Sequence, residues 1–151
     1  MEFTSKDLNK TLWVKQDHLE KKRNRVKMSA AGQHLGRLAT QIADRLMGKN
    51  YAHYCDFWDT GDFVVLEDVE KVIVTGNKLN SKFYHTYSGY KGNVKSVSLT
   101  EMMKKSPEKA IWFAVRGMLP KNKLRDPRMK RLKLFIGKTD KYNNLNPQTL
   151  N

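Results

Sequence analysis

Leu35-Gly36-Arg37-Leu38-Ala39-Thr40-Gln41-Ile42-Ala43-Asp44-Arg45-Leu46-Met47, closed by Gly48, is the stretch that decides the fold. Leu35, Leu38, Ala39, Ile42, Ala43 and Leu46 follow at steps of three, one, three, one and three, which places all six on one side of an α-helix. Arg37, Gln41, Asp44 and Arg45 fall off that stripe. Gly48 stops the helix, because a residue without Cβ accepts the left-handed cap conformation. A turn at Gly32-Gln33-His34 precedes the helix, and before it Arg25–Ser29 forms a short candidate strand. Downstream, Phe63-Val64-Val65-Leu66 is an apolar run suited to a strand buried on both faces. A strand, a helix and a second strand in this order predict an α/β domain with a mainly parallel sheet.

Further along, Val72 to Val74 is a second short β-branched run that ends at the turn Thr75-Gly76-Asn77. Residues 79–97 are rich in Tyr, Ser, Gly and Lys and read as a long loop or an irregular hairpin. Ser98 and Glu101 match a capping box, so a helix starts after Ser98. Pro107 suits the first turn of another helix. Ile111, Ala114, Val115 and Met118 give that helix its stripe, and Gly117 and Pro120 bring it to an end. Leu132, Leu134 and Ile136 alternate with Lys133 and Phe135, the pattern of a final strand. No internal repeat is visible. Residues 1–24 read as a polar, basic extension with helical potential, which Trp13 and Val14 can anchor; residues 25–151 form the α/β domain with its C-terminal tail.

With 151 residues the chain fits one domain. A chain of this size buries roughly two-thirds of its unfolded surface. It carries 29 basic and 15 acidic residues, a net charge of +14. Self-repulsion of that size costs stability unless a polyanion neutralises it. Nucleic acid is the commonest such polyanion and an anionic membrane surface is the rival. No apolar run approaches the roughly 18 residues of a spanning helix. Glu2 and Asp7 make the N-terminus unlike a secretory signal or an acid-poor transit peptide. Cys55 is the sole cysteine, which excludes an intramolecular disulfide and fits a reducing compartment.

The distribution of charge says more than its sum. Residues 15–27 hold six bases against two acids, residues 50–70 hold six acids and no Lys or Arg, and residues 104–141 hold thirteen bases against three acids. Such a layout predicts one strongly positive face and one neutral or acidic face. A single charge run is often only a solvated helix face. Two basic runs with interleaved aromatics point to polyanion binding.

Catalytic chemistry finds little support. The four histidines are scattered, and His53 with Cys55 makes a poor zinc pair without further ligands. Asp56, Asp59 and Asp62, spaced by three, have the oxygens for Mg²⁺, although turn and helix-end roles suit them better. Thr75-Gly76-Asn77-Lys78 follows a β-branched run as a phosphate loop does, yet lacks the spacing that ends in Gly-Lys-Ser/Thr. A contact from its backbone and Lys78 to an RNA phosphate asks for less. No enzyme, cofactor or metal site is therefore assigned.

Nucleic-acid binding has better material. Lys78, Lys82, His85, Lys91 and Lys95 alternate with Phe83, Tyr84, Tyr87 and Tyr90, so that cations can meet phosphates while rings stack on unpaired bases. Phe83 is expected to pack beneath the loop, with Tyr87 and Tyr90 left for bases. Gly89 and Gly92 let a partner approach the backbone. The strongest segment is 117–133. Seven of the thirteen residues 121–133 are basic, and Leu124, Met129 and Leu132 can pin the segment to the core. Arg125, Arg128 and Arg131 are expected to be its phosphate clamps, since guanidinium offers two parallel donors. Lys121, Asn122, Lys123, Lys130 and Lys133 are expected beside them. Arg37 and Lys49 at the two ends of the helix that opened this section, with Arg116 and Lys138, complete the candidate RNA-binding set.

Four blocks of sequence then resemble a known family, the universal large-subunit ribosomal proteins numbered thirteen. They are Leu35-Gly36-Arg37-Leu38-Ala39-Thr40 with Ile42-Ala43 and Gly48-Lys49; Asp59-Thr60-Gly61-Asp62 with its Val-rich strand, Lys71 and Val74-Thr75-Gly76-Asn77-Lys78; Lys82-Phe83-Tyr84 with Tyr87-Ser88-Gly89-Tyr90 and Gly92; and Gly117-Met118-Leu119-Pro120-Lys121-Asn122. In series they cover about residues 25–137. Arg25 and Ser29 stand where the family has Trp and Asp, and Thr139-Asp140-Lys141-Tyr142-Asn143-Asn144 replaces its His-Pro-His and Gln-rich ending. The resemblance implies a three-layer α/β/α domain around a four-stranded, mainly parallel sheet. It also implies a structural constituent of the large ribosomal subunit that binds large-subunit rRNA early in assembly, without enzymatic activity. Its partners would be that rRNA and neighbouring large-subunit proteins, with no membrane and no small-molecule substrate. Its place would be a cytoplasmic ribosome or, alternatively, an organellar one. The competing reading from the residues is a free regulatory protein bound to RNA or DNA, although no helix-turn-helix or zinc-finger signature is visible.

Overall fold

The computed structural model describes residues 23–145 and 147–150, without the side chain of Leu150. The basic extension therefore lies outside the described residues, Arg23 and Asn24 excepted. Strand β1 (Arg25–Ser29) leads into helix α1 (Leu35–Met47), then β2 (Phe63–Glu67) and a 3-10 turn (Val69–Lys71). Helix α2 (Lys78–Ser81), the strands β3 (Phe83–Tyr87) and β4 (Val94–Ser98), and the helices α3 (Leu99–Lys105) and α4 (Pro107–Met118) follow. Helix α5 (Arg125–Lys130), β5 (Leu132–Leu134), a second 3-10 turn (Asn143–Leu145) and β6 (Gln148–Leu150) complete the order. The main sheet runs β5-β2-β1-β6 with every pair parallel. Val26 lies opposite Val64, and Val64 opposite Leu132. The α/β class and the four-stranded parallel sheet are as expected.

Alternation along β1 explains its packing. Val26 and Met28 are buried on the helical side, while Arg25 and Ser29 face outward. The loss of the family's Trp and Asp therefore falls on exposed positions. The six stripe residues of α1 are all buried against the sheet and α4. Gly48 takes the left-handed cap at φ 82°, with its amide donating to the Asp44 and Arg45 carbonyls. Gly61 has a different reason: a Cβ there would collide with the backbone at the end of α1. At the start of α3 the Glu101 amide donates to Ser98 Oγ at 3.2 Å, and Pro107 begins α4.

On the opposite face, Lys27 pairs with Glu67 at 2.9 Å and donates to the Thr139 carbonyl at 3.1 Å and Asn143 Oδ1 at 3.2 Å. Phe63 and Val65 share a narrow cavity there with Tyr142, Leu145 and Pro147. The 3-10 turn Asn143–Leu145 thus belongs to the layer over this face.

Three elements differ from the sequence reading. Val72 to Val74 form no strand; Ile73 only bridges His34, because the segment crosses the entrance of α1 rather than joining the sheet. The final alternating run is strand only over Leu132–Leu134, and Ile136 turns to solvent. Residues 79–97, by contrast, realise the hairpin alternative of their reading: after the end of α2 an antiparallel hairpin pairs Phe83 with Ser98 and Tyr87 with Val94. The strand β6 beside β1 was not anticipated.

Candidate nucleic-acid interface

The basic segment after α4 is pinned through Met129 and Leu132 as expected, whereas Leu124 is only half-buried. Leu119, Met129 and Leu132 are buried, and Pro120 precedes a turn in which the Arg125 amide donates to the Asn122 carbonyl at 3.1 Å. Its arginines do not do what their charge suggested. Arg128 is 1% and Arg131 5% exposed. Arg131 grips Asp59 with two bonds of 2.7 and 2.6 Å and also donates to the Leu46 carbonyl at 2.9 Å. Arg128 Nε lies 3.5 Å from the same carboxylate, and Arg23 donates to the Asp59 carbonyl at 2.9 Å. The expectation that Arg128 and Arg131 face phosphates is corrected accordingly. The planar fork that suits phosphate suits a buried carboxylate equally well. Asp59, 72 residues away in sequence, occupies it. Arg125 is half-buried, whereas Lys121, Asn122, Lys123, Lys130 and Lys133 are exposed.

The β3–β4 hairpin offers the second group. Tyr87 is 60% and Tyr90 78% exposed, with Lys82, His85, Lys91 and Lys95 also open to solvent. Phe83, expected beneath the loop, is 51% exposed, because neither face of this two-stranded sheet is covered along its length. Tyr84 is the ring that packs inward, 5.4 Å from Phe113, with Lys82 Nζ 5.3 Å above its centroid. His85 Nδ1 meets Ser96 Oγ across the strands at 2.8 Å. Gly89 and Gly92 adopt φ of 93° and 78° in the connecting turn.

The remaining candidates are dispersed. Arg37 is exposed on α1, and Lys138 is exposed after β5. Lys49 lies 3.7 Å from Asp44. Arg116 is half-buried with its guanidinium 5.1 Å over the Trp112 ring. Lys78 and Lys82 line one cleft with Gly36, so α2 brings the Gly76 turn and the hairpin base to the entrance of α1. Lys133 lies on the other side of the sheet, near Arg25.

The acids explain why cations dominate outside. Asp59, Asp62, Glu67 and Asp68 are sequestered, and the expected acidic face is largely consumed in internal pairing. Asp62 accepts the Tyr51 hydroxyl at 2.9 and 2.8 Å on its two oxygens, and burial raises its pKa against that hydrogen bond. Lys71, 2.7 Å from Asp68, lowers the Asp68 pKa. Asp56 accepts from the Tyr54 hydroxyl. The three acids spaced by three thus have separate partners, and among the described residues no group of three or more His, Cys, Asp or Glu could hold a metal. Among those residues no helix is long and apolar enough to cross a membrane.

Sequence reasoning found the exposed lysines and tyrosines but missed Asp59 as the hub of the arginines and Phe113 as the ring beneath Tyr84. Asp59 sits in a legible Asp-Thr-Gly-Asp motif, yet nothing local names its distant partners.

Fold and surface together define an α/β scaffold with inward-facing acids and outward-facing lysines and tyrosines. The family profile described as ribosomal protein L13 matches residues 23–141. Proteins named large ribosomal subunit protein uL13 are similar over most of their length. That of Thermoanaerobacter sp. (strain X514) is 46% identical over 131 residues, 87% of this chain and 92% of the relative. That of Alkalilimnicola ehrlichii is 45% identical over 123 residues, 82% and 87% of the two chains. That of Thermotoga maritima is 44% identical over 128 residues, 85% of each. The chain belongs to the ribosomal protein L13 family, whose members are structural, non-enzymatic components of the ribosome.

Proposed function

We propose that the protein binds large-subunit rRNA and supports assembly of that subunit beside neighbouring large-subunit proteins, in the cytoplasmic ribosome. The observation that carries this reading is the segment 121–133. Its apolar residues and two of its arginines are tied into the core, while Lys121, Lys123, Lys130 and Lys133 project from it. A cationic segment held at both ends loses less conformational entropy on binding than a free tail. The hairpin adds Tyr87 and Tyr90 for unpaired bases, with Lys91 and Lys95 for phosphates. Arg125, Asn122, Arg37, Lys49, Lys78, Lys82, His85, Arg116 and Lys138 are the further proposed contacts; Arg128 and Arg131 act by holding the segment in place.

Replacing Lys121, Lys123, Lys130 and Lys133 together by Gln tests this. All four are exposed, so the unfolding midpoint should hold. The salt dependence of rRNA binding should weaken by roughly 0.7–0.9 in logarithmic slope per lost contact. The variant should enter large subunits poorly in a sucrose gradient. An unchanged slope with normal incorporation would show that this segment does not meet RNA.

A further inference from the structure

A cleft of about 380 Å³ opens between the start of α1, the Ile73–Thr75 segment, α2 and the last turns of α4. Its size falls within the roughly 300–1,000 Å³ of small-ligand pockets. Ile73, Phe113 and Met118, each about two-fifths exposed, converge on it over a floor that includes buried Leu35 and Leu99. Lys78 and Lys82 stand on its rim, and among the described residues no Asp or Glu lines it. Helix α1 contributes no acid in its first turn, so its own side chains do not offset the positive end of its dipole beside those lysines. His34, whose Nδ1 is buried without a hydrogen-bond partner among the described residues, also lines the cleft.

Two glycines give this cleft a second, independent mark. Gly36 and Gly117 lie within helices α1 and α4 and both line it, yet among the described residues a Cβ at either would meet nothing within 4 Å. Neither has the positive φ that demands glycine. Glycine weakens a helix relative to alanine. Internal packing gives no return for that weakening, whereas close approach of a flat partner does.

We propose that the cleft receives an unstacked nucleobase of single-stranded RNA. Its ring would lie against Phe113 and Ile73, and its flanking phosphate would turn toward Lys78 and Lys82. An apolar, partly aromatic slot with a cationic rim matches a base joined to its backbone phosphate. The proposal rests on the RNA-binding reading and adds a position, a strand state and an insertion to it.

The test uses the full chain, an end-labelled oligoadenylate, and the same strand paired with oligouridylate, all at one salt concentration. Gly36→Ala with Gly117→Ala should keep or raise the melting temperature. Their affinity for the single strand should fall roughly five-fold or more, the scale of one lost base stack. Affinity for the duplex should not change. Phe113→Leu, which keeps apolar volume but removes the ring face, should lose single-strand affinity in the same way. Variants that bind both RNAs like the original chain would overturn the proposal while leaving RNA binding elsewhere intact. An equal loss on both RNAs would overturn it too, because the contact would then be to phosphate alone. If the original chain binds neither RNA, the RNA-binding reading fails and takes this proposal with it.

Discussion

Residues 128–131 and the β3–β4 hairpin carry related chemistry, cations beside apolar side chains, and end in opposite environments. At Arg128 and Arg131 the charge is turned inward, where Asp59 and backbone carbonyls receive it. In the hairpin, Tyr87, Tyr90, Lys91 and Lys95 point to solvent on a sheet of only two strands. An isolated two-stranded hairpin is marginally stable by itself. This one is held at its base, through Tyr84 against Phe113 and Leu99 in a small cluster with Met102 and Ala110. Positive charge therefore has two uses in one chain, to assemble the frame and to furnish the surface, and residue type does not separate them.

The separation can be broken most forcefully at the frame. Arg131→Gln leaves the Asp59 carboxylate largely buried without its bidentate partner. Breaking a buried pair from one side costs about 3–5 kcal/mol. Urea unfolding should register a loss of that size. A loss below about 1 kcal/mol would mean that Arg23 and Arg128 take over the carboxylate. Converting Arg125, Arg128 and Arg131 together to Gln would therefore unfold the protein before it reported on RNA.

Helix α1 permits the same comparison inside one turn. Leu38 is fully buried and its neighbour Arg37 exposed. Leu38→Ala should cost about 2–5 kcal/mol. Arg37→Ala should stay within about 0.5 kcal/mol in stability and weaken rRNA binding. The reverse ranking in paired melting and binding assays would exchange the two faces. At the surface, Tyr87→Ala with Tyr90→Ala should leave unfolding nearly unchanged and reduce rRNA affinity by about 1–3 kcal/mol for each base stack lost. A drop in melting temperature without a change in affinity would make these rings part of the frame.

The smallest effect concerns pH. Burial raises the Asp62 pKa in the folded chain above its unfolded value of about 3.9. Its contribution is therefore complete below the unfolded pKa and is lost as pH rises through the folded one. Asp62→Asn removes this dependence. Unfolding free energies of the two proteins should diverge in favour of the original chain as pH falls from neutral toward 4. A gap that shrinks on acidification would place the folded pKa below the unfolded one.

What the sequence revealed follows the same division. The stripe of α1, the short strand at Arg25–Ser29, the run in β2, the capping box at Ser98 and Pro107 at the start of α4 were legible because each shows a local pattern or a local cap. The hairpin segment left loop and irregular hairpin both open for a physical reason. Alternation along a strand records one buried face, and residues 83–87 and 94–98 bury neither along most of their length. Strand β6 is three residues long, and its place depends on a vacant edge of β1 more than a hundred positions away. The surface lysines were found by counting charge. The fate of Arg128 and Arg131 was hidden, because counting charge cannot show that an acid 72 positions upstream of Arg131 folds beneath it.

The all-parallel sheet also sets a schedule. Val64 must find Leu132 and Val26 must find Gln148, and even the successive strands β1 and β2 pair only across the length of α1 and its loops. Pairings of this separation close large loops before they return any energy, and they make folding slow. The hairpin closes over the short turn between Tyr87 and Val94. Hairpins of that kind form in about 1–10 μs. The projecting element is thus kinetically early and the frame late. In pulse-labelled hydrogen exchange, amides of residues 83–98 should gain transient protection before those of β1 and β2. In the native state the order reverses: the hairpin opens locally at low cost, while the sheet exchanges only with global unfolding.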